Sequence, residues 1–210
     1  MHFDIPLFEN YPQMLQRLRD GERFMDVGCG LGQQLRFLVY KGVPMESLFG
    51  VDISKPFIDL GFELFRDRDT LKATFIVSDL LEPGPELDMV RGTISIMFAG
   101  QFLHLWDWER QLKAAKQLVY ILKPQKGAII TGRQVGSLTQ PGHWADRPNP
   151  GYGPMFVHSP TTMGEFWKQV GRETNSNWKV ATVMKAHTTW KPFHNNFGDR
   201  SPILWMAERL

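Results

Sequence analysis

Three glycines at alternate positions, Gly28, Gly30 and Gly32, follow an apolar run that ends in Asp26 and Val27. The run predicts a buried strand, and the glycines allow the backbone to turn sharply and to approach a ligand closely. The spacing G-x-G-x-G differs from the dinucleotide fingerprint G-x-G-x-x-G, and an acidic residue stands two positions before the first glycine. We therefore expect this loop to bind S-adenosylmethionine rather than a dinucleotide.

Two further carboxylates stand at the ends of the next predicted strands. Asp52 ends the run 47–52, and Asp79 follows the run 74–77. In a doubly wound sheet these ends lie beside the glycine loop, where Asp52 can accept hydrogen bonds from a ribose and Asp79 from the amino group of an adenine. The residues that follow them, Ile53 and Leu80, are expected to pack against the nucleoside. The alternative is that the glycines are turn residues, Asp52 is a cap and Asp79 is a loop acid, but their joint occurrence at successive strand ends favours a cofactor site.

Three more residues around the loop are candidate cofactor contacts. A buried carboxylate is costly unless it is paired, so Asp26 either accepts hydrogen bonds from loop amides or the cofactor's amino group, or serves only to brace the loop. Cys29, between two glycines, is expected to be a small packing residue beside the cofactor. Ala99 ends the fourth predicted strand at the same edge of the sheet.

The segment after the fourth predicted strand faces the transferable methyl group in this architecture. Gln101 and His104 are its polar candidates for substrate binding. His104, with an ordinary pKa of about 6.5, suits a general base for a phenol or an alcohol; the alternative is a hydrogen-bonded histidine at the start of a helix. Trp106 either lines an aromatic substrate pocket or anchors the following helix to the sheet.

Four more residues complete the candidate substrate site. Arg133 follows the fifth predicted strand, where its planar guanidinium either clamps a substrate carboxylate or forms a salt bridge to a nearby acid. Trp144 lies in a stretch rich in Gly and Pro, and Met155 and His158 precede the next predicted helix. We expect these last three to form the wall that selects the substrate; the alternative is that they only close over the core.

Strand-like and helical patterns alternate along the chain. The predicted strands are 23–27, 47–51, 74–77, 93–98, 128–131, 178–184 and 203–207, and the predicted helices are 32–40, 58–66, 107–122 and 161–171. This alternation predicts an α/β fold of the Rossmann-like class I methyltransferase type, with a seven-stranded, mostly parallel sheet, an antiparallel last strand and helices on both faces. We expect one domain over 1–210, with a short N-terminal segment at 1–22 and an irregular substrate-side loop at 136–160.

Composition narrows the classes of partner. The 210 residues carry 24 Lys and Arg against 22 Asp and Glu, a formal charge of +2 without a basic stripe, so we expect no nucleic-acid partner. The single cysteine excludes an internal disulfide, and no Cys/His cluster has the spacing of metal ligands. No run reaches the roughly 18 apolar residues of a membrane span. The sequence thus predicts a cytoplasmic monomer or homodimer that acts on a small molecule without a metal.

Several short strings, in order, resemble the fungal secondary-metabolite methyltransferases of meroterpenoid and related pathways. They are 24–32, 40–52, 60–71, 102–108 and 132–137. The resemblance implies transfer of a methyl group from S-adenosylmethionine to a carboxyl or hydroxyl oxygen of a polyketide- or terpenoid-derived small molecule. It implies that Gly28, Gly30, Asp52 and Asp79 are cofactor contacts. It implies only pocket positions for Gln101, His104 and Arg133.

Two other functions stay open on the sequence. The same fold can steer a cyclisation or rearrangement without transferring a methyl group, because the cofactor motifs would be retained. The chain can also be a non-catalytic partner, either a cofactor-binding subunit or a degenerate one that has lost cofactor binding. The mass of the product separates the first from methyl transfer, and cofactor binding tests the second.

Overall fold

The computed structural model describes residues 3–139, 141–149, 153–184 and 200–210, with the backbone alone for 143–149. Its strands are β1 Phe24–Val27, β2 Leu48–Asp52, β3 Thr74–Val77, β4 Ile96–Phe98, β5 Ile129–Ser137, β6 Gly142–Asn149, β7 Gly153–Val157, β8 Trp178–Met184 and β9 Arg200–Arg209. Its α-helices are α1 Tyr11–Arg19, α2 Gln33–Tyr40, α3 Lys55–Phe65, α4 Trp108–Ile121 and α5 Pro160–Thr174. None of these helices is both long enough and apolar enough to cross a membrane.

Seven strands form one sheet in the order β3-β2-β1-β4-β5-β9-β8. The first five run parallel, with β1 between β2 and β4. Strand β9 runs antiparallel to both of its neighbours, β5 and β8. The predicted class I methyltransferase sheet, with its last strand antiparallel, is therefore confirmed.

Alternate residues of the central strands enter two cores, one on each face of the sheet. Met25 and Val27 of β1 join the core that also contains Leu118 of α4 and Phe166 of α5. Phe24 joins the opposite core, where the buried side chains of α1 and α2 pack. Strands buried on both faces read as continuous apolar runs, which is why the sequence revealed them.

Side-chain caps fix where three helices begin. Ser54 accepts a hydrogen bond from the amide of Phe57 at the start of α3. Asp107 accepts one from the amide of Arg110 at 2.9 Å, as the predicted Asp cap of α4 requires. Ser159 opens α5 with a capping box. The caps of α3 and α4 begin the helices that follow the parallel strands β2 and β4, at the carboxyl edge of the sheet.

Residues 136–160 differ from the irregular loop that we expected. Strand β5 continues to Ser137, and β6 and β7 form an antiparallel hairpin whose register shifts between Trp144 and Pro148. The glycines and prolines that suggested irregular structure are tolerated because a two-stranded ribbon consists only of edge strands, where a proline without an amide hydrogen interrupts no central ladder.

Candidate active site

The loop after β1 turns through three glycines in the left-handed region. Gly28, Gly30 and Gly32 have φ values of 69°, 51° and 69°. The amides of Gly28 and Cys29 both donate to the carbonyl of Val51, at 2.8 and 3.0 Å. These bonds tie the start of the loop to the end of β2, so the loop lies directly beside Asp52.

Asp52 is held by backbone amides on both sides. Its Oδ2 accepts from the amide of Gly30 and its Oδ1 from the amide of Ser54, each at 2.8 Å. A carboxylate offers about four lone-pair positions, so each oxygen retains capacity for one more donor. Asp52 is only partly buried, which leaves that capacity available to a ligand.

A cavity of about 260 Å³ opens where the parallel strands end. One side of it consists of the predicted nucleoside contacts Gly28, Asp52, Ile53, Asp79 and Leu80. The other side comes largely from the segment after β4 and contains Gly100, Gln101, Phe102, Leu105 and Trp106. The structure therefore brings five of the cofactor candidates and two of the substrate candidates to one cavity.

The open backbone at Gly30 and the acceptor oxygens of this site fit a nucleoside cofactor. A side chain at Gly30 would meet no atom within 4 Å, so the backbone there faces open space that a ligand can approach. A Cβ at Gly28 would lie only 3.0 Å from the ring of Phe102, which explains the need for glycine at that position. Asp79 accepts from the amide of Leu81 through Oδ1 at 2.8 Å and retains its second oxygen for an amino group.

Three predicted cofactor contacts lie behind the cavity wall. Asp26 is buried, and burial, reinforced by the charge of Asp52, raises its pKa to about 8. Cys29 packs against Gly50, where an added Cβ would lie 2.9 Å from the thiol sulfur, and burial raises the thiol pKa far above its usual range. Ala99 is fully buried, and its amide donates to the carbonyl of Thr131.

Gln101 reaches the cavity through a strained backbone. Its φ is 54°, and its amide donates to the carbonyl of Arg133 at 2.6 Å. The other non-glycine residues with positive φ in the described part of the chain, Arg66 and Asn175, end helices α3 and α5, where this conformation is common. Gln101 ends no helix, and such strain is concentrated at functional sites.

His104 lies beside the cavity without lining it. It occupies a short 3-10 turn, Leu103–Leu105, and is partly buried. Its Nδ1 is buried and has no hydrogen-bond partner among the described residues. Burial lowers the pKa of His104 to about 4, so the imidazole is neutral at pH 7.

Arg133 forms the ion pair that was the alternative to a substrate clamp. Its Nη1 donates to Oδ1 of Asp4 at 3.0 Å, and each of the two side chains is 16% exposed. This pair links β5 to the segment before α1. The guanidinium is thus directed toward the protein's own N-terminal segment and is not part of the cavity lining.

The residues around β7 do not join the cavity. His158 is fully buried, with Nε2 3.0 Å from Oε1 of Gln111 and Nδ1 3.2 Å from Oγ1 of Thr162. Burial lowers its pKa to about 3. Met155 is a partly buried residue of β7. The side chain of Trp144 lies outside the described residues.

The sequence analysis did not identify two residues that line the cavity, the aromatic Phe102 and the aliphatic Leu105. The ring of Phe102 meets Trp106 edge to face at 4.9 Å, and Leu105 lies between them in the chain. The sequence placed both within the segment after the fourth strand. Nothing in their type separated a cavity wall from ordinary core packing, since apolar residues serve both.

Similar proteins support the same architecture. Residues 24–125 match the model of a methyltransferase domain. O-methyltransferase phiE of a fungal species is 41% identical over 180 residues, which cover 84% of this chain and 59% of that protein. Asnovolin E/Chermesin D methyltransferase nvfJ of Aspergillus novofumigatus is 37% identical over 171 residues, covering 81% and 60%. The chain thus spans about three-fifths of the length of these relatives.

Solved structures share the fold at low sequence identity. The [4+2]-cyclase SpnF superposes with a TM-score of 0.64 at 15% identity, covering 94% of this chain and 81% of the other. The 1,6-didemethyltoxoflavin-N1-methyltransferase of Burkholderia thailandensis, solved with S-adenosylhomocysteine, gives 0.62 at 12% identity, covering 94% and 76%. At these identities the likeness concerns the fold alone.

The sheet order, the glycine loop and the acids at successive strand ends agree with the sequence relatives. Residues 24–125 therefore form a methyltransferase domain with the class I sheet, and the chain is similar to fungal methyltransferases such as O-methyltransferase phiE.

Proposed function

We propose that the protein transfers the methyl group of S-adenosylmethionine to an oxygen of a small polyketide- or terpenoid-derived molecule. The observation that carries this proposal is the single cavity that joins Asp52 and Asp79 on one side to Gln101 and Trp106 on the other. The two carboxylates suit the hydroxyl and amino groups of a nucleoside. An aromatic wall with one amide suits a small organic acceptor. Relatives named O-methyltransferases support oxygen as the acceptor atom.

The protein's task in this reaction is to hold and orient the two reactants. The bound cofactor supplies an electrophilic methyl group, and the reaction gains most of its rate from proximity and alignment. Asp52 and the amide of Gly30 fix the nucleoside end of the site. Phe102 and Trp106 form the wall that keeps water from the acceptor end.

The protonation of His104 favours a carboxyl oxygen over a hydroxyl as the acceptor. With a pKa of about 4, His104 is a weak base for a phenol, whose own pKa is about 10. A carboxylate is already ionised at neutral pH and needs no base. His104 then serves to orient the acceptor, and a phenolic hydroxyl is the second candidate.

We further propose that the enzyme works in the cytoplasm, as a monomer or homodimer, on small molecules and without a nucleic-acid partner. The formal charge of +2 on 210 residues supports the last point, because nucleic-acid-binding domains carry a pronounced basic surface. The apolar and aromatic residues on one side of the cavity support a small organic substrate.

Cofactor binding is the first test. We expect S-adenosylhomocysteine to bind the wild-type protein in calorimetry, and Asp52→Asn to bind it about tenfold more weakly, because hydrogen bonds to a charged group are lost. Asp59→Asn is the matched control, since Asp59 forms ion pairs with Lys55 and Arg68 on the surface of α3. Its affinity should equal that of the wild type. A folded protein that fails to bind would instead support a non-catalytic partner.

Methyl transfer is the second test. The protein is incubated with trideuteromethyl-labelled S-adenosylmethionine and a panel of aromatic carboxylic acids and phenols, and the products are analysed by mass. We expect carboxylic acids to gain one labelled methyl group as their esters. Conversion of an acceptor to an isomer without the label would contradict methyl transfer and favour cyclisation or rearrangement.

A further inference from the structure

Arg36 of α2 holds the glycine loop from behind. Its Nη1 donates to the carbonyl of Leu31 in the loop at 2.6 Å. Its Nε and Nη2 donate to the two oxygens of Asp67 at 2.7 and 2.8 Å. The Arg36 and Asp67 side chains are only 11% and 20% exposed, so water screens this pair weakly. One guanidinium thus joins the loop to the segment that follows α3.

The guanidinium is also enclosed by rings and by the loop itself. It lies over Phe65 at 4.3 Å from the ring centre and over Phe62 at 5.4 Å. A Cβ at Gly32 would lie 2.8 Å from Nη1. A planar group that forms two parallel bonds to a carboxylate and stacks on a ring cannot be replaced by the point charge of a lysine.

The carbonyl of Leu31 is held on a second side by α3. A Cβ at Gly61 would lie 2.3 Å from that carbonyl oxygen, so the helix backbone and the loop are in close contact there. The preceding residue, Gly30, donates its amide to Asp52. A shift of Leu31 would therefore move the amide that fixes the Asp52 carboxylate.

We propose that Arg36, fixed in turn by Asp67, is a positioning residue for the cofactor site. It holds the Leu31 carbonyl and, through it, the Gly30 amide and the Asp52 carboxylate. A loop with three left-handed glycines has little rigidity of its own, so contacts from outside the loop set its position. This inference rests on the proposed function, because it assigns the role toward S-adenosylmethionine.

The test compares S-adenosylhomocysteine affinity and melting temperature across three variants. We expect Arg36→Lys and Asp67→Asn each to weaken binding by about five- to tenfold. The double variant should be no weaker than Arg36→Lys alone, because Asp67 acts through Arg36. Arg17→Lys is the matched control. It disrupts the 2.8 Å ion pair between Arg17 of α1 and Glu22, a residue that precedes β1. Its affinity should stay within about twofold of the wild type.

Three outcomes would overturn the inference. Lowered melting temperatures with wild-type affinity in both single variants would leave Arg36 and Asp67 with a structural role alone. Additive losses in the double variant would show that Asp67 does not act through Arg36. If the wild-type protein does not bind S-adenosylhomocysteine, the proposed function fails first, and that result is distinct because it does not depend on any variant. Should Arg36→Lys not fold, Asp67→Asn carries the comparison.

Discussion

His104 has one ring nitrogen that no polar atom of the described residues reaches. Because burial lowers its pKa to about 4, the imidazole has lost its proton throughout the physiological range. A neutral imidazole can donate or accept a hydrogen bond to orient an acceptor without exchanging a proton. Under the proposed function, the burial of this single side chain therefore favours an acceptor oxygen that needs no base.

The pH dependence of turnover tests this role for His104. With a carboxylic acid acceptor identified from the panel, we expect kcat/KM to be constant between about pH 5.5 and 7, since acceptor and imidazole have both finished titrating and Asp26, with a pKa of about 8, has not begun. His104→Gln, which can still form a hydrogen bond, should lose less activity than His104→Ala, and both should keep the flat profile. A wild-type inflection near the ordinary histidine pKa that disappears in His104→Gln would instead identify a titrating base.

At the scale of elements, α3 and the glycine loop meet through a glycine with no space for a side chain. A Cβ at Gly61 would lie 2.3 Å from the carbonyl oxygen of Leu31. We expect Gly61→Ala to push the loop away, lower the melting temperature and weaken S-adenosylhomocysteine binding by about tenfold. Calorimetry and thermal unfolding on the same samples measure both effects.

Helix α5 supplies the matched controls for this substitution. A Cβ at Gly171 would lie 2.6 Å from the carbonyl of Ser176, a clash with backbone similar to that at Gly61 but far from the loop. Gly171→Ala should lower stability and leave the affinity unchanged. Gly164 has open space around it, so Gly164→Ala should be neutral or stabilise by about 0.5–1 kcal/mol through helix propensity. Equal losses of affinity in Gly61→Ala and Gly171→Ala would mean that instability, not the loop, reduces binding.

An element could be predicted from the sequence when the interactions that form it lie within a short stretch of the chain. The sheet and the acids at the ends of β2 and β3 were predictable because apolar runs and strand-end positions are visible in a short window. The hairpin of β6 and β7 was not, since its glycines and prolines are equally typical of irregular loops. Arg36 and Asp67 are 31 residues apart, and Arg133 and Asp4 are 129 apart. No pattern of residue spacing indicates ion pairs between residues so far apart in the chain.

At the scale of the whole molecule, the two cores enclose groups whose charged forms they destabilise. Burial raises the pKa of Asp26 to about 8 and lowers those of His104 and His158 to about 4 and 3. The unfolded chain restores ordinary values of about 3.9 for Asp and 6.5 for His. Each difference makes the free energy of unfolding depend on pH, and the acid and the histidines act in opposite directions.

We expect the free energy of unfolding to be greatest near pH 6.5. From about pH 4.5 to 6, His104 and His158 bind a proton in the unfolded chain but not in the folded chain, whereas Asp26 keeps its proton only in the folded chain. The unfolded chain therefore binds one more proton in total, and the free energy of unfolding rises by about 1.4 kcal/mol per pH unit. From about pH 6.5 to 8 the folded chain loses the Asp26 proton while the unfolded chain loses its last histidine protons, and stability falls by about 0.6 kcal/mol per pH unit. Hydrogen bonds lower the pKa values of Asp59, Glu86 and Glu173, so these carboxylates do not contribute to the fall in stability above pH 6.5.

Urea unfolding of the ligand-free protein at a series of pH values measures this profile. Of the three groups, Asp26 alone contributes less to the free energy of unfolding as the pH rises, and Asp26→Asn removes this contribution. The decline above pH 6.5 should therefore disappear, and the rise below it should steepen to about 2.8 kcal/mol per unit. The exposed Asp69 provides the control, and Asp69→Asn should reproduce the wild-type profile. If the decline above pH 6.5 persists in Asp26→Asn, then Asp26 is already ionised in the folded protein, and a partner within the fold must stabilise its charge.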